Sequence, residues 1–289
     1  MAEMRTGASP AVPGIEELEP IGRGGFATVY RGWQAELNRP VAVKVLDATA
    51  MDAGAAARFR REVMAMGALS DHPHVVPVYT VGSVGDRLYL VMPFLEGSLA
   101  DELTAGPLAP DAVVELGLGL ADALAAAHRS GVLHRDVKPA NVLRSAYGTA
   151  KLSDFGVARF VDNTNTNRGQ LMATVAYAAP EVLSGEPASE ASDVYSLGAT
   201  LHAALRGRPP YEIGPDEVPV ALAVRVLSTD PPDLGEAGVP PALKAVVARS
   251  MARDPADRYA SALELRDALA AVDLGTAPRQ DDTRLAPVV

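Results

Sequence analysis

The first hundred residues carry short runs of β-branched and aromatic residues separated by Gly, Pro and Asn, which is the pattern of a β-rich region. The dipeptide Asn38–Arg39 is typical of a turn between two such runs. Apolar residues at three- and four-residue spacings predict one long helix at Ala55–Leu69. We expect five strands around this helix, at Leu18–Ile21, Phe26–Tyr30, Val41–Leu46, Val75–Val81 and Arg87–Met92.

The pattern changes after Gly97, where Ala- and Leu-rich segments with helical periodicity dominate. Two short strands, Val142–Leu143 and Lys151–Leu152, interrupt the helices, and polar residues predict a loop at Phe160–Gln170. Gly131 is placed to end the predicted helix that reaches Arg129. The predicted helices are Asp111–Arg129, Ala191–Leu205, Val218–Leu227, Ala242–Met251 and Ser261–Val272.

These elements predict an α+β fold with two lobes. A small antiparallel β lobe with one main helix would span residues 15–92, a hinge residues 93–95, and a larger, mainly α-helical lobe residues 96–272. Residues 1–14 are small, polar and Pro-containing, and residues 273–289 combine Pro and charges with few apolar positions. We therefore expect a flexible leader and a disordered tail.

Composition narrows the function classes. The net charge of −10 argues against nucleic acid as a partner, because no basic excess is present to neutralise phosphates. The chain has no cysteine, which excludes disulfides, thiolate metal sites and cysteine nucleophiles. No apolar run reaches the roughly 18 to 20 residues that a membrane span needs, and no signal peptide is visible. The expected location is therefore cytoplasmic.

A glycine cluster, Gly22–Val29, follows the first predicted strand. Gly22, Gly24 and Gly25 would let the backbone approach phosphate oxygens and point N–H groups at them. The cluster alone is equally compatible with a hairpin turn. Because a strand rather than a helix follows it, the context excludes a Rossmann or Walker site.

Lys44 closes the strand run Val41–Val43 and is one of only four lysines in the chain. A strand lysine is usually a solvated charge, and Glu62 in the predicted helix would by itself be an ordinary surface acid. Behind a glycine-rich loop, the pair instead predicts a cation for the α- and β-phosphates of a nucleotide and an acid that fixes this cation by an ion pair.

The densest chemistry lies in the loop Leu133–Asn141, where an acid, a lysine and an amide fall within six residues. Asp136 is suited to orient a substrate hydroxyl, and Lys138 to neutralise a γ-phosphate. Asn141 offers an amide oxygen to Mg²⁺, which prefers oxygen ligands. The Asp-Phe-Gly tripeptide that begins at Asp154 supplies an anionic ligand for the same metal. Such a tripeptide is often only part of a loop. Here it follows the loop Leu133–Asn141, and a predicted strand lies between the two.

In this order, the motifs resemble those of a eukaryotic-type (bacterial, Hanks-type) serine/threonine protein kinase, from about Glu16 to about Ala271. One such motif is weak, whereas the ordered set is highly specific. The resemblance implies the two-lobed protein-kinase-like fold and ATP-dependent phosphorylation of serine and threonine in proteins. The motifs that carry it are Val41–Lys44, His134–Asn141, Asp154–Gly156, Ala179–Glu181, Asp193–Gly198 and Asp257–Tyr259.

The resemblance also implies a nucleotide pocket. Met92 would be the gatekeeper and Pro93–Leu95 the adenine hinge; the family uses the carbonyl of the first hinge residue, so the missing N–H of Pro93 is tolerated. ATP and Mg²⁺, with Mn²⁺ as an alternative metal, would be the cofactors. Besides the glycines and Lys44, the groups that would surround ATP belong to Ile21, Val29, Ala42, Met92, Pro93, Leu95 and Leu143.

Further roles follow from the resemblance alone. Glu181 would pair with Arg258 to hold the end of the activation segment, and Asp193 would hold the backbone of the catalytic loop from the central helix. The combination of Lys138 with Thr174 is similar to the Ser/Thr-specific branch of the family, in which Thr174 would form part of the platform for the protein substrate.

Arg135, directly before Asp136, is the family's mark of control by phosphorylation. A phosphate on Thr164 or Thr166 could pair with it and order the activation loop. The plain alternative is that the Asn- and Thr-rich stretch is only a polar loop. Autophosphorylation in trans within a homodimer is a further expectation.

Two other functions stay open. A pseudokinase scaffold commonly lacks at least one of the four residues Lys44, Asp136, Asn141 and Asp154, and all four are present. A small-molecule kinase would share the catalytic loop but lack the Ala-Pro-Glu segment and the Thr174 platform. Both observations favour a protein kinase.

Overall fold

A computed structural model of the chain describes residues 10–23, 27–47, 66–155, 168–214, 216–235 and 238–274. The predictions for Gly24, Gly25, Glu62, Thr164 and Thr166 lie outside these residues, as does most of the predicted helix Ala55–Leu69.

A five-stranded antiparallel sheet forms the small lobe. Its strands are β1 Ile15–Arg23, β2 Ala27–Gln34, β3 Arg39–Asp47, β4 Thr80–Val84 and β5 Arg87–Pro93. They are hydrogen-bonded in the order β1-β2-β3-β5-β4. The predicted turn between β2 and β3 contains a 3₁₀ turn at Ala35–Leu37, and Asn38 follows it with a φ of 49°, a left-handed conformation that asparagine tolerates.

Alternation along β3 separates the two faces of the sheet. Val41, Val43 and Val45 are buried in a small apolar core on one face, and the intervening side chains point to the other. Val12 belongs to this core and is 4% exposed, and its carbonyl accepts a hydrogen bond from the N–H of Ile15 at 3.1 Å. The described end of the predicted flexible leader is therefore part of the folded lobe.

The strand predicted at Val75–Val81 is wrong at its start, because β4 begins only at Thr80. Val75 instead forms a parallel bridge with Leu152, far along the chain, and the N–H of Val76 donates to the Leu152 carbonyl at 2.9 Å. Pro77 follows and has no N–H to offer to a ladder. The first residues of the apolar run therefore bind the larger lobe, and the chain joins the five-stranded sheet only at Thr80.

The larger lobe is mainly helical, as predicted. Its helices are α1 Leu99–Leu103, α2 Pro110–Arg129, α3 Arg168–Val175, α4 Pro180–Leu183, α5 Glu190–Arg206, α6 Pro219–Ser228, α7 Pro241–Ser250 and α8 Ala262–Ala270. Helix α2 ends before Gly131, whose φ of 71° suits the residue after a helix. Within the described ranges, no helix combines the length and apolar character needed to cross a membrane.

Helix α5 is the centre of the larger lobe, and its residues from Ser192 to Leu205 are all buried. Ser189 caps its first turn by accepting a hydrogen bond from the N–H of Ser192. A Cβ at Gly198 would lie 2.6 Å from Cβ of Ser250 in α7, so the glycine permits close helix packing. The lobe also contains a three-stranded sheet of β6 Gly97–Ser98, β7 Val142–Arg144 and β8 Ala150–Leu152.

Helix α3 corrects the loop predicted at Phe160–Gln170, because its first residues fall inside that range. The helix was not predicted because its first residues, from Arg168, belong to the polar stretch and only its later residues are apolar. Met172 and Val175, three residues apart, are buried in the core of the lobe. Tertiary burial of this face explains a helix that local composition did not predict.

The short helix α1 was also not predicted. It begins with a capping box, in which the Ser98 hydroxyl accepts from the N–H of Asp101 at 3.2 Å and the Asp101 carboxylate accepts from the N–H of Ser98 at 2.9 Å. Five residues are too few for a periodic apolar pattern, so the spacing of Ser98 and Asp101 is the feature of the sequence that indicates this helix.

Candidate active site

The backbone of the predicted catalytic loop is held by Asp193 in α5. Its Oδ2 accepts from the N–H of His134 and its Oδ1 from the N–H of Arg135, both at 2.8 Å. Arg135 has a φ of 68°, a left-handed conformation that costs free energy in a residue with a side chain. Because Asp193 is 1% exposed, its two hydrogen bonds form away from water and stabilise this loop geometry.

The side chains of Asp136, Lys138 and Asn141, which follow this turn, meet the side chain of Thr174 from α3. Lys138 Nζ lies 2.7 Å from Oδ2 of Asp136 and donates to Oγ1 of Thr174 at 2.9 Å. The amide nitrogen of Asn141 donates to the Asp136 carbonyl at 2.8 Å and to its Oδ2 at 2.9 Å. The Thr174 hydroxyl lies 3.5 Å from Oδ1 of Asp136. The structure thus brings together the two loop residues predicted for catalysis, the asparagine predicted as a metal ligand and the threonine predicted as part of the substrate platform.

Lys44 of β3 forms an ion pair with Asp154, with 2.8 Å between Nζ and Oδ1. Asp154 follows the end of β8 by two residues and has a φ of 64°. Burial is the largest single influence and would raise the pKa of the Asp154 carboxyl, but the charge and the hydrogen bond of Lys44, with smaller contributions from nearby charges, together hold this pKa below its ordinary value. The predicted partner Glu62 lies outside the described residues, so the Lys44–Glu62 pair stays a prediction.

Asn141 and Asp154 are chemically suited to hold a divalent cation. The hydrogen bonds of Asn141 to Asp136 use its amide nitrogen, which leaves the amide oxygen turned away from that carboxylate. The lowered pKa of Asp154 keeps its carboxylate ionised. One amide oxygen and one carboxylate fit Mg²⁺, which takes few protein ligands and shares its remaining positions with water and phosphate oxygens.

His134 is a buried structural residue of this site, with no exposed surface. Its Nε2 lies 2.9 Å from the Ser153 carbonyl oxygen, and its ring centroid lies 4.5 Å from that of Phe155. Burial lowers the pKa of His134 below its ordinary value, although nearby carboxylates, Asp193 foremost, act in the opposite sense. The neutral ring therefore joins the catalytic loop to the residues that flank Asp154.

The residues predicted to surround adenine lie on the sheet and its exit. Val29 is paired with Lys44 across β2 and β3, and Ala42 with Met92 across β3 and β5. Strand β5 ends at Pro93, where the predicted hinge begins. The other described members of the predicted pocket are Ile21 and Gly22 in β1, Leu95 after β5, and Leu143 in β7.

The predicted pair of Glu181 and Arg258 forms away from the cleft. Two nitrogens of the Arg258 guanidinium each donate to one carboxylate oxygen of Glu181 at 2.8 Å. The guanidinium also donates to the carbonyls of Ala191, Ala252 and Arg253 at 2.8 to 3.1 Å. The Arg258 side chain is fully buried, so this network fixes the start of α4 against the end of the lobe.

Residues 15–268 match the protein kinase domain family. The chain belongs to this family. The match covers both lobes and every site residue described above, and it confirms the predicted α+β fold with two lobes.

Three mycobacterial proteins are among the relatives of this kinase domain. Serine/threonine-protein kinase PknK of Mycobacterium tuberculosis is 46% identical over 259 residues, which cover 89% of this chain and 23% of the relative. PknL of Mycobacterium bovis is 41% identical over 258 residues, covering 87% and 64%, and PknB of Mycolicibacterium smegmatis is 39% identical over 272 residues, covering 90% and 43%. The chain thus spans between 23% and 64% of the length of these relatives.

One residue that supports the site of the kinase domain was not predicted. His128 lies at the end of α2 with 4% of its side chain exposed, and its Nε2 lies 2.9 Å from Oδ2 of Asp193. Its Nδ1 lies 3.6 Å from a carboxylate oxygen of Glu190. The signal was present in the sequence, because His128 follows the buried Leu120 and Leu124 at a spacing of four and so continues the buried stripe of the helix.

Proposed function

We propose that this kinase domain transfers the γ-phosphate of ATP to serine and threonine hydroxyls of proteins. The observation that carries the proposal is the convergence of the three catalytic-loop side chains with Thr174, close to the ion pair between Lys44 and Asp154. The relatives are named as serine/threonine-protein kinases, which supports the same activity.

Asp136 is the residue that receives the acceptor hydroxyl. Its carboxylate, held by Asn141 and Lys138, accepts a hydrogen bond from the substrate hydroxyl and takes its proton as transfer proceeds. The hydroxyl oxygen forms a bond to the γ-phosphorus while the bond from that phosphorus to the leaving ADP oxygen breaks. Lys138 is close enough to Asp136 to neutralise charge on the phosphoryl group in transit.

Lys44 binds the α- and β-phosphates, and Glu62 fixes its ammonium group. Asn141 and Asp154 hold Mg²⁺, or Mn²⁺ in its place. The bound metal supplies positive charge that neutralises the phosphate oxygens. The contact between Lys44 and Asp154 supports this arrangement, because it places the cation and the anionic metal ligand side by side.

The adenine ring lies between apolar side chains of the two lobes. Val29 and Ala42 cover it from the sheet and Leu143 from β7, while Met92 limits the depth of the pocket. The carbonyl of the first hinge residue and the N–H of the third bind the edge of the ring. The hinge and the phosphate-binding loop together comprise Pro93, Leu95, Ile21, Gly22, Gly24 and Gly25.

Two observations favour this function over the alternatives. A pseudokinase scaffold does not require the hydrogen bonds that Asp136 makes with Lys138 and Asn141. A small-molecule kinase has no use for Thr174, whose contact with Lys138 ties the end of α3 to the catalytic loop. The protein substrates are accordingly those that present a serine or threonine beside this platform.

Arg135 is the proposed receptor for a regulatory phosphate on Thr164 or Thr166. It precedes Asp136 directly and lines a cavity of about 200 Å³ beside the first turn of α5. A phosphate bound there orders the activation loop through charge-assisted hydrogen bonds. Autophosphorylation in trans within a homodimer supplies that phosphate.

Asp136→Asn tests the proposed transfer. Radiolabelled ATP with casein or myelin basic protein should show transfer by the wild type, and at least about a 10²-fold loss in the variant, because the general base is gone. ATP affinity should stay unchanged. Asp86→Asn, an exposed aspartate in the turn after β4, is the matched control and should transfer normally. Wild-type activity in the Asp136 variant would overturn its assigned role.

The same wild-type reaction checks the regulatory proposal. Mass spectrometry after incubation with Mg-ATP should find phosphate on Thr164 or Thr166. A protein that phosphorylates casein but carries phosphate on neither threonine would retain its proposed activity and lose the proposed regulation.

A further inference from the structure

Arg31 lies on the face of β2 that is predicted to cover the nucleotide. It follows Val29 by two residues, so both side chains leave the same face of the strand. The pairing of Arg31 with Ala42 places it next to another residue of the predicted adenine pocket. An exposed arginine at the rim of an apolar pocket is not explained by burial or by the catalytic roles above.

The guanidinium of Arg31 rests on an aromatic ring of the hinge. Its Cζ lies 5.2 Å from the centroid of the Phe94 ring, within the range of a cation–π interaction. Glu19 is paired with Arg31 across β1 and β2, but among the described residues no ion pair joins the two. The contact with Phe94 therefore determines where the guanidinium points.

Phe94 belongs to the segment that would hydrogen-bond adenine, between Pro93 and Leu95. Its ring is partly buried and the segment follows the end of β5. The contact with Arg31 thus joins two elements that are not neighbours in the sheet, because β3 lies between β2 and β5. It connects the strand that covers the base to the backbone that binds the edge of the base.

The same sheet holds a second arginine–aromatic contact that has no relation to the cleft. Arg39 Cζ lies 3.8 Å from the Tyr79 ring centroid, and Arg39 Nε donates to Gln34 at 2.9 Å. Arg39 is on the face of β3 that carries Val41, opposite the face of Ala42 and Lys44. The two contacts are alike in chemistry and differ in which face of the sheet they occupy.

We propose that Arg31 is a positioning residue for the nucleotide, which it serves by tying the covering strand to the hinge through Phe94. The inference rests on the proposed function, since it assumes that ATP binds in this cleft. The contact holds the spacing of the pocket before ATP arrives, so losing it weakens nucleotide binding without touching the reacting groups.

Arg31→Leu and Phe94→Leu, singly and together, test the proposal in the full chain. Each single variant should raise KM for ATP, and the dissociation constant for ATP measured by calorimetry, by about two- to fivefold, with kcat unchanged within about twofold. The double variant should show no more than the larger single effect, since both substitutions remove one contact. Arg31→Lys and Phe94→Tyr keep a cation and a ring and should stay near the wild type.

Arg39→Leu is the matched control, and its KM for ATP should equal that of the wild type. Equal shifts in Arg31→Leu and Arg39→Leu would mean that any lost arginine loosens the sheet, and would overturn the proposal. Additive effects of Arg31→Leu and Phe94→Leu, or an unchanged KM in both, would also overturn it. A wild type that binds no ATP would overturn the proposed function and this inference together.

Discussion

Two ion pairs in this protein join residues from distant parts of the chain, but they are built differently. The Lys44–Asp154 pair in the cleft is partly exposed, with 10% and 34% of the side chains accessible, and rests on one contact of 2.8 Å. The Arg258–Glu181 pair is buried, with 0% and 9% accessible, and has two parallel contacts.

The two pairs differ in how many hydrogen-bond donors of the basic residue are already used. Three backbone carbonyls take further donor positions of Arg258. Among the described residues, Asp154 is the one ion-pair partner of Lys44, whose ammonium can donate three hydrogen bonds. A saturated, buried pair holds the fold together, whereas a pair with a partly exposed carboxylate and one contact among the described residues can take a phosphate as a further partner.

Arg258→Met should break this comparison with the largest effect. The substitution leaves the Glu181 carboxylate buried without its partner, and removing one member of a buried ion pair costs about 3–5 kcal/mol. The free energy of unfolding, measured by urea denaturation of the wild type and the variant, checks this loss.

Arg225→Met is the matched control for that measurement. Arg225 also contacts a glutamate, Glu217, through two oxygens, but 37% of its side chain is exposed. Its loss of stability should be much smaller because water replaces the missing partner. Equal losses in the two variants would show that burial does not distinguish these pairs.

Lys44→Met should reduce activity much more than stability. Because about a third of the Asp154 side chain is exposed, water can partly replace Lys44, so the loss of stability should be smaller than that of Arg258→Met. Phosphoryl transfer should fall by about 10²- to 10³-fold, because the cation aimed at the phosphates is lost. Initial rates and urea denaturation on the same preparations separate the two effects. Lys244→Met, in α7, is the control and should keep wild-type rates; a Lys44 variant with wild-type rates would contradict the comparison.

A pH series sharpens the comparison with the smallest effect. The folded-state pKa of Asp154 lies below its ordinary value of 3.8, so the stabilisation by this pair is complete above pH 3.8 and is lost as the pH falls through the lowered pKa. Asp154→Asn removes the titrating carboxyl, so the difference in unfolding free energy between the wild type and this variant should stay constant from neutral pH to about pH 5. A difference that grows as the pH falls over that range would mean that the pKa of Asp154 is raised.

Local patterns predicted most of the fold. Helix α2 begins one residue before the predicted start and ends at Arg129 as predicted, because a long periodic apolar stripe and Gly131 act within the helix itself. Strand β3 and the turn at Asn38 were predicted for the same reason. The errors at Val75 and in α3 have one cause: each segment takes its conformation from a partner far along the chain.

The site divides in the same way. The spacing of Asp136, Lys138 and Asn141 within one loop predicted a cluster, and the structure brings the three side chains into contact. The approach of His128 to Asp193 and of Arg31 to Phe94 was not predicted, because a contact between distant segments leaves only weak traces in either one.

By itself, the sequence determined the order of the elements, the family motifs and the chemical groups available in the cleft, because these depend on residue types and short spacings. Only the tertiary structure decided which groups meet. It pairs Lys44 with Asp154 in a partly exposed cleft and buries Arg258 on Glu181. The physical reason is that burial and hydrogen-bond saturation, which separate a structural charge from one able to bind a ligand, arise only when distant segments pack together.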